Sequence, residues 1–305
     1  MYKEGYFESC GAGNIHVNIW EPDGGIRGVV QIVHGIAEYG KRYEDFARFL
    51  NQYGFLVIAE DHMGHGKSIS NESPQGYFTG GWFSAVEDTY RLLKETMEEF
   101  PNVPYILFGH SMGSFMVRTI LAKYPDSGIT GAVICGTGWQ PKIILKTGIF
   151  LSKQICKTKG EKKTSAFLQN LMFGAYNKRV DRPRTPYDWL NRIPNEIDAY
   201  VADPLCGFSA TAGLARDLLL GIAYIQDKTH LPKMNKDLPV FFIAGGDDPV
   251  GSYGSGVRKT AEKFKDAGLE DVSVRIYPLC RHEILNEMNK RDIYLDVLNW
   301  IQHKI

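Results

Sequence analysis

The sequence predicts a doubly wound α/β domain, and three observations carry that expectation. Short, almost unbroken apolar runs alternate with longer amphipathic stretches through most of the chain. Such runs read as strands of a parallel sheet covered by helices on both faces, since nothing else hides both rows of side chains. One run, Tyr105-Ile106-Leu107-Phe108, passes directly into Gly109-His110-Ser111-Met112-Gly113 and then into a helical pattern from Met112 to Tyr124. A strand that reverses into a helix through G-x-S-x-G projects the central hydroxyl from a tight turn. Finally, the rhythm breaks over 138–236 and resumes at Val240, which is the signature of an insertion.

Taken in order, Ile15 to Trp20 alternates as an early strand and Val29 to His34 is a near-continuous apolar one. Tyr43 to Tyr53 reads as helix and Phe55 to Glu60 as strand. Phe83 to Phe100 is helical, with Val86, Tyr90, Leu93 and Met97 at the spacing of one face. Strands follow at Tyr105 to Phe108 and Gly131 to Cys135. After the interruption come a strand at Val240 to Ala244, a helix from Ser255 to Ala267 and a strand at Val272 to Tyr277. A last helix carries Ile293, Val297, Trp300 and Ile301. Residues 1–137 and 237–305 are therefore expected to form the core, and 138–236 a cap over the strand ends.

Composition narrows the function classes. A chain of 305 residues with 44% hydrophobic content has material for one large core. Basic and acidic residues are equal at 35 each, which argues against a nucleic-acid binder. Cys10, Cys135, Cys156, Cys206 and Cys280 are odd in number and lack C-x-x-C spacing. Reduced thiols in a cytoplasmic protein are expected, with neither a disulfide frame nor a zinc site. The first residues, Met1 to Glu8, contain no apolar h-region, so no signal peptide is expected. The longest apolar stretches, such as Leu218 to Ile225, are too short to cross a bilayer.

Within the cap, Lys142, Lys146, Lys153 and Lys157 recur at i, i+4, i+11 and i+15 and share one helix face. Ile144, Gly148, Leu151 and Ile155, at i, i+4, i+7 and i+11, share another face. A basic amphipathic helix can rest on an anionic membrane surface, whereas the plainer expectation is a surface helix with its lysines in water.

A serine hydroxyl is a weak nucleophile, so the Ser111 turn implies a base and an acid elsewhere. In this architecture both follow the serine at the ends of late strands. Gly245-Gly246-Asp247-Asp248-Pro249-Val250 supplies the acid. Asp248 is chosen because a residue before proline is confined to extended angles, which fixes the direction of its side chain. Asp247 is left as a loop-capping residue. Of eight histidines, His282 has the right position, between the strand ending at Tyr277 and the last helix. His34 and His110 adjoin strand ends and read as structural; His62 and His65 lie in a Gly-rich loop. His16, His230 and His303 read as surface or structural. His282 would take the Ser111 proton and return it to the leaving group, with Asp248 holding its tautomer. The N–H groups of Met112, after the nucleophile, and of Ile36, in His34-Gly35-Ile36, are the candidate oxyanion donors.

Five segments together resemble the α/β-hydrolase family of monoacylglycerol lipases and lysophospholipases, grouped with the serine aminopeptidase S33-type hydrolases. They are His34 to Tyr39 with Arg42-Tyr43, Asp61 to Ser68, Gly109 to Gly113, Gly245 to Val250, and Arg281 to Glu287. The resemblance implies an α/β-hydrolase fold, a mostly parallel central sheet with helices on both faces and an inserted helical cap. It implies Ser111 as nucleophile, Asp248 and His282 as its partners, and Ile36 and Met112 as backbone donors. Ester hydrolysis through an acyl-enzyme follows, on a small-molecule or lipid ester, with no cofactor and no metal. Ser114 stands where family members often have glycine, which adds a hydroxyl on the elbow helix. An aminopeptidase would need an acidic amine site in the cap, for which Glu161, Asp181, Asp188, Glu196, Asp198 and Asp203 are available. A catalytically silent binding module would be expected to lack a triad member. Haloalkane- and epoxide-type enzymes would carry Asp in place of Ser111, and no dinucleotide or P-loop motif is present.

Overall fold

The computed structural model describes residues 1–305. It opens on an antiparallel pair, β1 (Tyr2–Glu8) and β2 (Asn14–Trp20), in register from Tyr2 opposite Trp20 to Glu8 opposite Asn14. Then come β3 (Gly28–Val33), helix α1 (Glu44–Asn51), β4 (Phe55–Glu60), helix α2 (Trp82–Glu99), β5 (Tyr105–His110), helix α3 (Met112–Lys123) and β6 (Gly131–Cys135). The chain leaves the sheet for four helices, α4 (Lys142–Lys159), α5 (Ala166–Phe173), α6 (Pro194–Ala202) and α7 (Ala212–Ile225). It returns through β7 (Val240–Gly245), helix α8 (Ser255–Asp266), β8 (Val272–Tyr277) and helix α9 (Lys290–Gln302).

The strands form one eight-stranded sheet in the order β1-β2-β4-β3-β5-β6-β7-β8. It is parallel from β4 to β8, with β1 and β2 running antiparallel at one edge. Side chains alternate between two apolar layers, as the period of two demands. In β3, Val29 and Val33 join α2, α3 and α8 on one face, while Val30 and Ile32 join α1 and α9 on the other.

Two features were not apparent in the sequence pattern. The strand at Tyr2–Glu8 is absent from the pattern because it lies at the sheet edge and none of its residues is fully buried. Helix α4 buries a third face, distinct from the lysine stripe and sharing only Gly148 with the Ile144 stripe. Leu145, Gly148, Ser152 and Cys156 are buried, not Ile144, Leu151 and Ile155. Gly148 lies against α7: a Cβ there would meet Leu219 Cδ1 at 3.0 Å. Ile143 (71% exposed), Ile144 (55%) and Phe150 (60%) consequently face out, beside the exposed Lys142, Lys146, Lys153 and Lys157.

The 138–236 span contains no strand ladder; one isolated bridge joins Thr164 to Thr211. It packs into the sheet's own core through Leu145, Trp189, Leu214, Leu218 and Ile222.

Candidate active site

Ser111 sits between β5 and α3 with φ 53° and ψ −120°. A non-glycine residue with positive φ costs about 1–2 kcal/mol, so its surroundings must impose the conformation. They do so by close packing. A Cβ on Gly113 would lie 1.9 Å from the Val33 carbonyl oxygen, and one on Gly109 would lie 2.6 Å from the Gly113 oxygen. No side chain fits at either position. Ser111 N–H donates to the Cys135 carbonyl at 3.0 Å, and the Ser114 hydroxyl donates to the Ser111 carbonyl at 2.6 Å. The hydroxyl that distinguishes Ser114 therefore ties down the turn without disturbing it.

Asp248 and Asp247 are separated by burial. Asp248 is fully buried after β7, whereas Asp247 is exposed. Asp248 Oδ1 accepts the Val250 N–H at 2.9 Å, which aims Oδ2 at His282 Nδ1, 2.9 Å away. The angle of that contact falls short of a hydrogen bond, and Nε2 of the buried His282 ring has no hydrogen-bond partner. The bond to Ser111 that proton transfer requires is thus not made in this conformation; such bonds often tighten only around a substrate. Ser111, Ile36 and His282 nevertheless line one cavity of about 500 Å³. Gly35 brings the Ile36 loop against the serine, since a Cβ on it would touch Ser111 Cβ at 3.1 Å. Met112 begins α3 directly after Ser111, so its N–H lies at the helix N-terminus.

A buried ionic cluster, to which sequence reasoning assigned no role, supports this arrangement. Glu38 Oε1 accepts the Gly35 N–H at 2.7 Å and the Tyr43 hydroxyl at 2.9 Å, and lies 3.2 Å from His110 Nδ1. With the Gly35 N–H taken, the next donor along the loop is Ile36. Arg42 bridges two carboxylates: Nη1 meets Glu38 Oε2 at 2.8 Å, and the guanidinium forks onto Glu283 at 2.7 and 2.9 Å. Burial works against every charge here. For Glu38 it is outweighed by the His110 bond and the Arg42 charge, which hold the carboxyl below its usual range. For His110 burial is outweighed by Glu38, which raises the ring above its ordinary value. The signal was present in the sequence, since Glu38, Arg42, Tyr43 and Glu283 all lie in the segments that carry the family resemblance.

The remaining cleft histidines are structural. His34 Nε2 accepts the His62 N–H at 2.9 Å, and the two rings lie 3.8 Å apart. Burial pushes His62 down to about 4 and His65 down to about 3, and takes His34 well below its ordinary value. All three are neutral at pH 7.

The 138–236 span reaches the same residues. Glu283 N–H donates to the Leu190 carbonyl at 2.8 Å, and Arg281 Nη1 donates to the carbonyls of Asp188 (2.6 Å) and Asn191 (2.8 Å). The Trp189 ring lies 5.0 Å from His282. None of Glu161, Asp181, Asp188, Glu196, Asp198 and Asp203 lines the cavity; the carboxylates that do are Glu38 and Glu283.

A strained serine between strand and helix, opening on the same cavity as a histidine from a late loop of a mostly parallel sheet, is the arrangement of an α/β hydrolase. The chain belongs to the serine aminopeptidase S33 family of hydrolases, whose model matches residues 24–289. It is 29% identical to a monoacylglycerol lipase of Mycolicibacterium smegmatis over 98% of this chain and 96% of that one. It is 25% identical to the human monoglyceride lipase over 93% of this chain and 86% of that one. Among solved structures, a thermostable carboxyl esterase from Bacillus coagulans in complex with glycerol superposes with a TM-score of 0.92. That protein is 29% identical, with 99% of this chain and 98% of that one covered. No helix is long and apolar enough to cross a membrane.

Proposed function

We propose that this hydrolase cleaves carboxylic esters of monoacylglycerol or lysophospholipid type through an acyl-enzyme on Ser111. The observation that carries the reading is the strained Ser111 sharing a cavity with His282, whose Nδ1 lies 2.9 Å from Asp248 Oδ2. Ser111 Oγ attacks the ester carbonyl as His282 Nε2 takes its proton, and the carbonyl oxygen becomes an alkoxide facing the N–H groups of Ile36 and Met112. Collapse of this intermediate expels the alcohol, which receives the proton from His282. Water then repeats the sequence on the acyl group and frees Ser111. Asp248 stabilises the imidazolium formed in each half.

The substrate class is supported by the cavity wall and by the relatives' names. Phe173, Trp189, Leu190 and Phe208 offer apolar surface for an acyl chain. A free amine has no spare carboxylate to bind, since Glu38 and Glu283 are both paired with Arg42. Residues 138–236 act in this reading as the cap that shapes the pocket and excludes water. Five free thiols suit a reducing compartment such as the cytoplasm. The test is a panel of 4-nitrophenyl esters of graded length, run beside monoacylglycerols and amino-acyl amides. Esters are expected to exceed amides in kcat/KM; faster turnover of any amide than of every ester would overturn the proposal.

The outward face of α4 favours transient contact of the cap with a lipid surface. Ile143, Ile144 and Phe150 are exposed beside four lysines, and Phe167 and Leu171 of α5 are exposed as well. A lysine near an anionic surface contributes about 1 kcal/mol. The wild-type protein is expected to co-sediment with phosphatidylserine-containing vesicles. Changing Lys142, Lys146, Lys153 and Lys157 to Glu should weaken that partitioning by at least about tenfold. Unchanged partitioning would remove this contact.

A further inference from the structure

The Ile36 loop is held at two ends by different parts of the fold. On the core side, Glu38 takes the Gly35 N–H. On the cap side, the Ala37 carbonyl accepts two hydrogen bonds, from the Tyr200 hydroxyl of α6 at 2.9 Å and from the Gly207 N–H at 3.0 Å. Ala37 needs such support, because its φ is 57° and a residue with a Cβ does not adopt that conformation freely. Tyr200 is itself fixed. It is buried, and the Arg42 guanidinium that bridges Glu38 and Glu283 lies 4.9 Å from its ring centroid.

We propose that Tyr200 is a positioning residue for the oxyanion hole. Its hydroxyl holds Ala37 in the left-handed conformation that turns the Ile36 N–H toward the reacting carbonyl. The cap then does more than enclose substrate: with α6 docked the donor pair is complete, and with α6 displaced the Ile36 end of it loosens. The same cap binds the loop carrying His282 through Leu190, Asp188 and Asn191, so docking acts on both sides of the reacting bond. This inference rests on the assignment of Ile36 as an oxyanion donor.

The test is Tyr200→Phe, which keeps the ring and removes one hydroxyl. With a 4-nitrophenyl ester, kcat is expected to fall roughly five- to tenfold while KM changes by less than about twofold. Affinity for an alkyl trifluoromethyl ketone, which forms a tetrahedral oxyanion on the serine, should weaken by the same factor as kcat/KM. Tyr39→Phe is the comparison: it removes the Tyr39 hydroxyl bond to Asp203 (2.8 Å), another loop-to-cap tether that does not reach the Ala37 carbonyl. It should leave kcat within about twofold.

A rise in KM at constant kcat would make Tyr200 a pocket wall and overturn the proposal. So would an equal fall of kcat in Tyr39→Phe, which would point to general cap docking, or no effect of Tyr200→Phe at all. Should Tyr200→Phe fail to fold, the bond is more than a positioning device and the proposal falls. Wild-type protein that turns over esters while Tyr200→Phe behaves normally sinks this inference alone. Wild-type protein inert to every ester sinks the proposed function instead.

Discussion

Changing Ser111 to Ala is expected to lower kcat for a 4-nitrophenyl ester by on the order of 10⁴–10⁶-fold with the fold intact. In the proposed mechanism alanine removes the atom that forms the acyl bond. It keeps a Cβ at φ 53°, so the elbow carries the same backbone strain as before. The residual rate would come from the N–H donors and from binding. Labelling by a fluorophosphonate should disappear in parallel. Asp248→Asn is expected to cost about 10⁴-fold, since an amide in place of Oδ2 favours the wrong imidazole tautomer. Asp247→Asn should stay within about twofold, because that side chain is exposed. Labelled Ser111→Ala protein, or equal losses at Asp247 and Asp248, would defeat the assignment. Near-ultraviolet circular dichroism of each variant separates a lost reaction from a lost fold.

The parts of this molecule that could be read from its sequence are those governed by local pattern. Val29 to Val33, Phe55 to Glu60 and Tyr105 to Phe108 read as strands because both their faces are buried, leaving Gln31 and the terminal Glu60 as the only charged or amide side chains. The β1 edge strand has the opposite property, being charged and half exposed, and its period of two is too weak to stand out. Asp248 was legible through Pro249, a local constraint on its backbone. For Glu38, Arg42 and Glu283 the sequence showed membership of the family segments but not their mutual contact, because the two ends of the cluster lie 245 positions apart and meet only through the fold. Helix α4 shows a further limit. The stripe of Ile144, Gly148, Leu151 and Ile155 stands out by its spacing, yet of these only Gly148 is buried, beside Leu145, Ser152 and Cys156. Tyr200 had no signal at all, since its importance lies in reaching a carbonyl 163 positions earlier.

Gly113→Ala is expected to destabilise the protein by about 3 kcal/mol or more, measured as the urea midpoint at constant m-value. The added methyl would fall 1.9 Å from the Val33 oxygen, 2.5 Å from its carbonyl carbon and 2.6 Å from the His34 oxygen. All three are backbone atoms at the end of a central strand, so no side chain can rotate away to make room. Either α3 lifts from β3 or the strand end bends, and both outcomes break close-packed contacts in the core. Gly25→Ala is the contrasting change, because nothing lies within 4 Å of the Cβ it would add; its cost should remain within about 0.5 kcal/mol. The displacement at Gly113 also carries a functional consequence. Val33 and His34 lead directly into Gly35 and Ile36, while Gly113 follows Ser111 by two residues. Forcing the two apart separates the nucleophile from the Ile36 N–H, so the folded fraction of Gly113→Ala should show reduced kcat even in conditions where it is fully native. A variant that kept wild-type stability would mean that strand and helix are not held as closely as these distances state. One that lost stability but kept full kcat would show that the spacing of β3 and α3 matters to the core and not to the reaction.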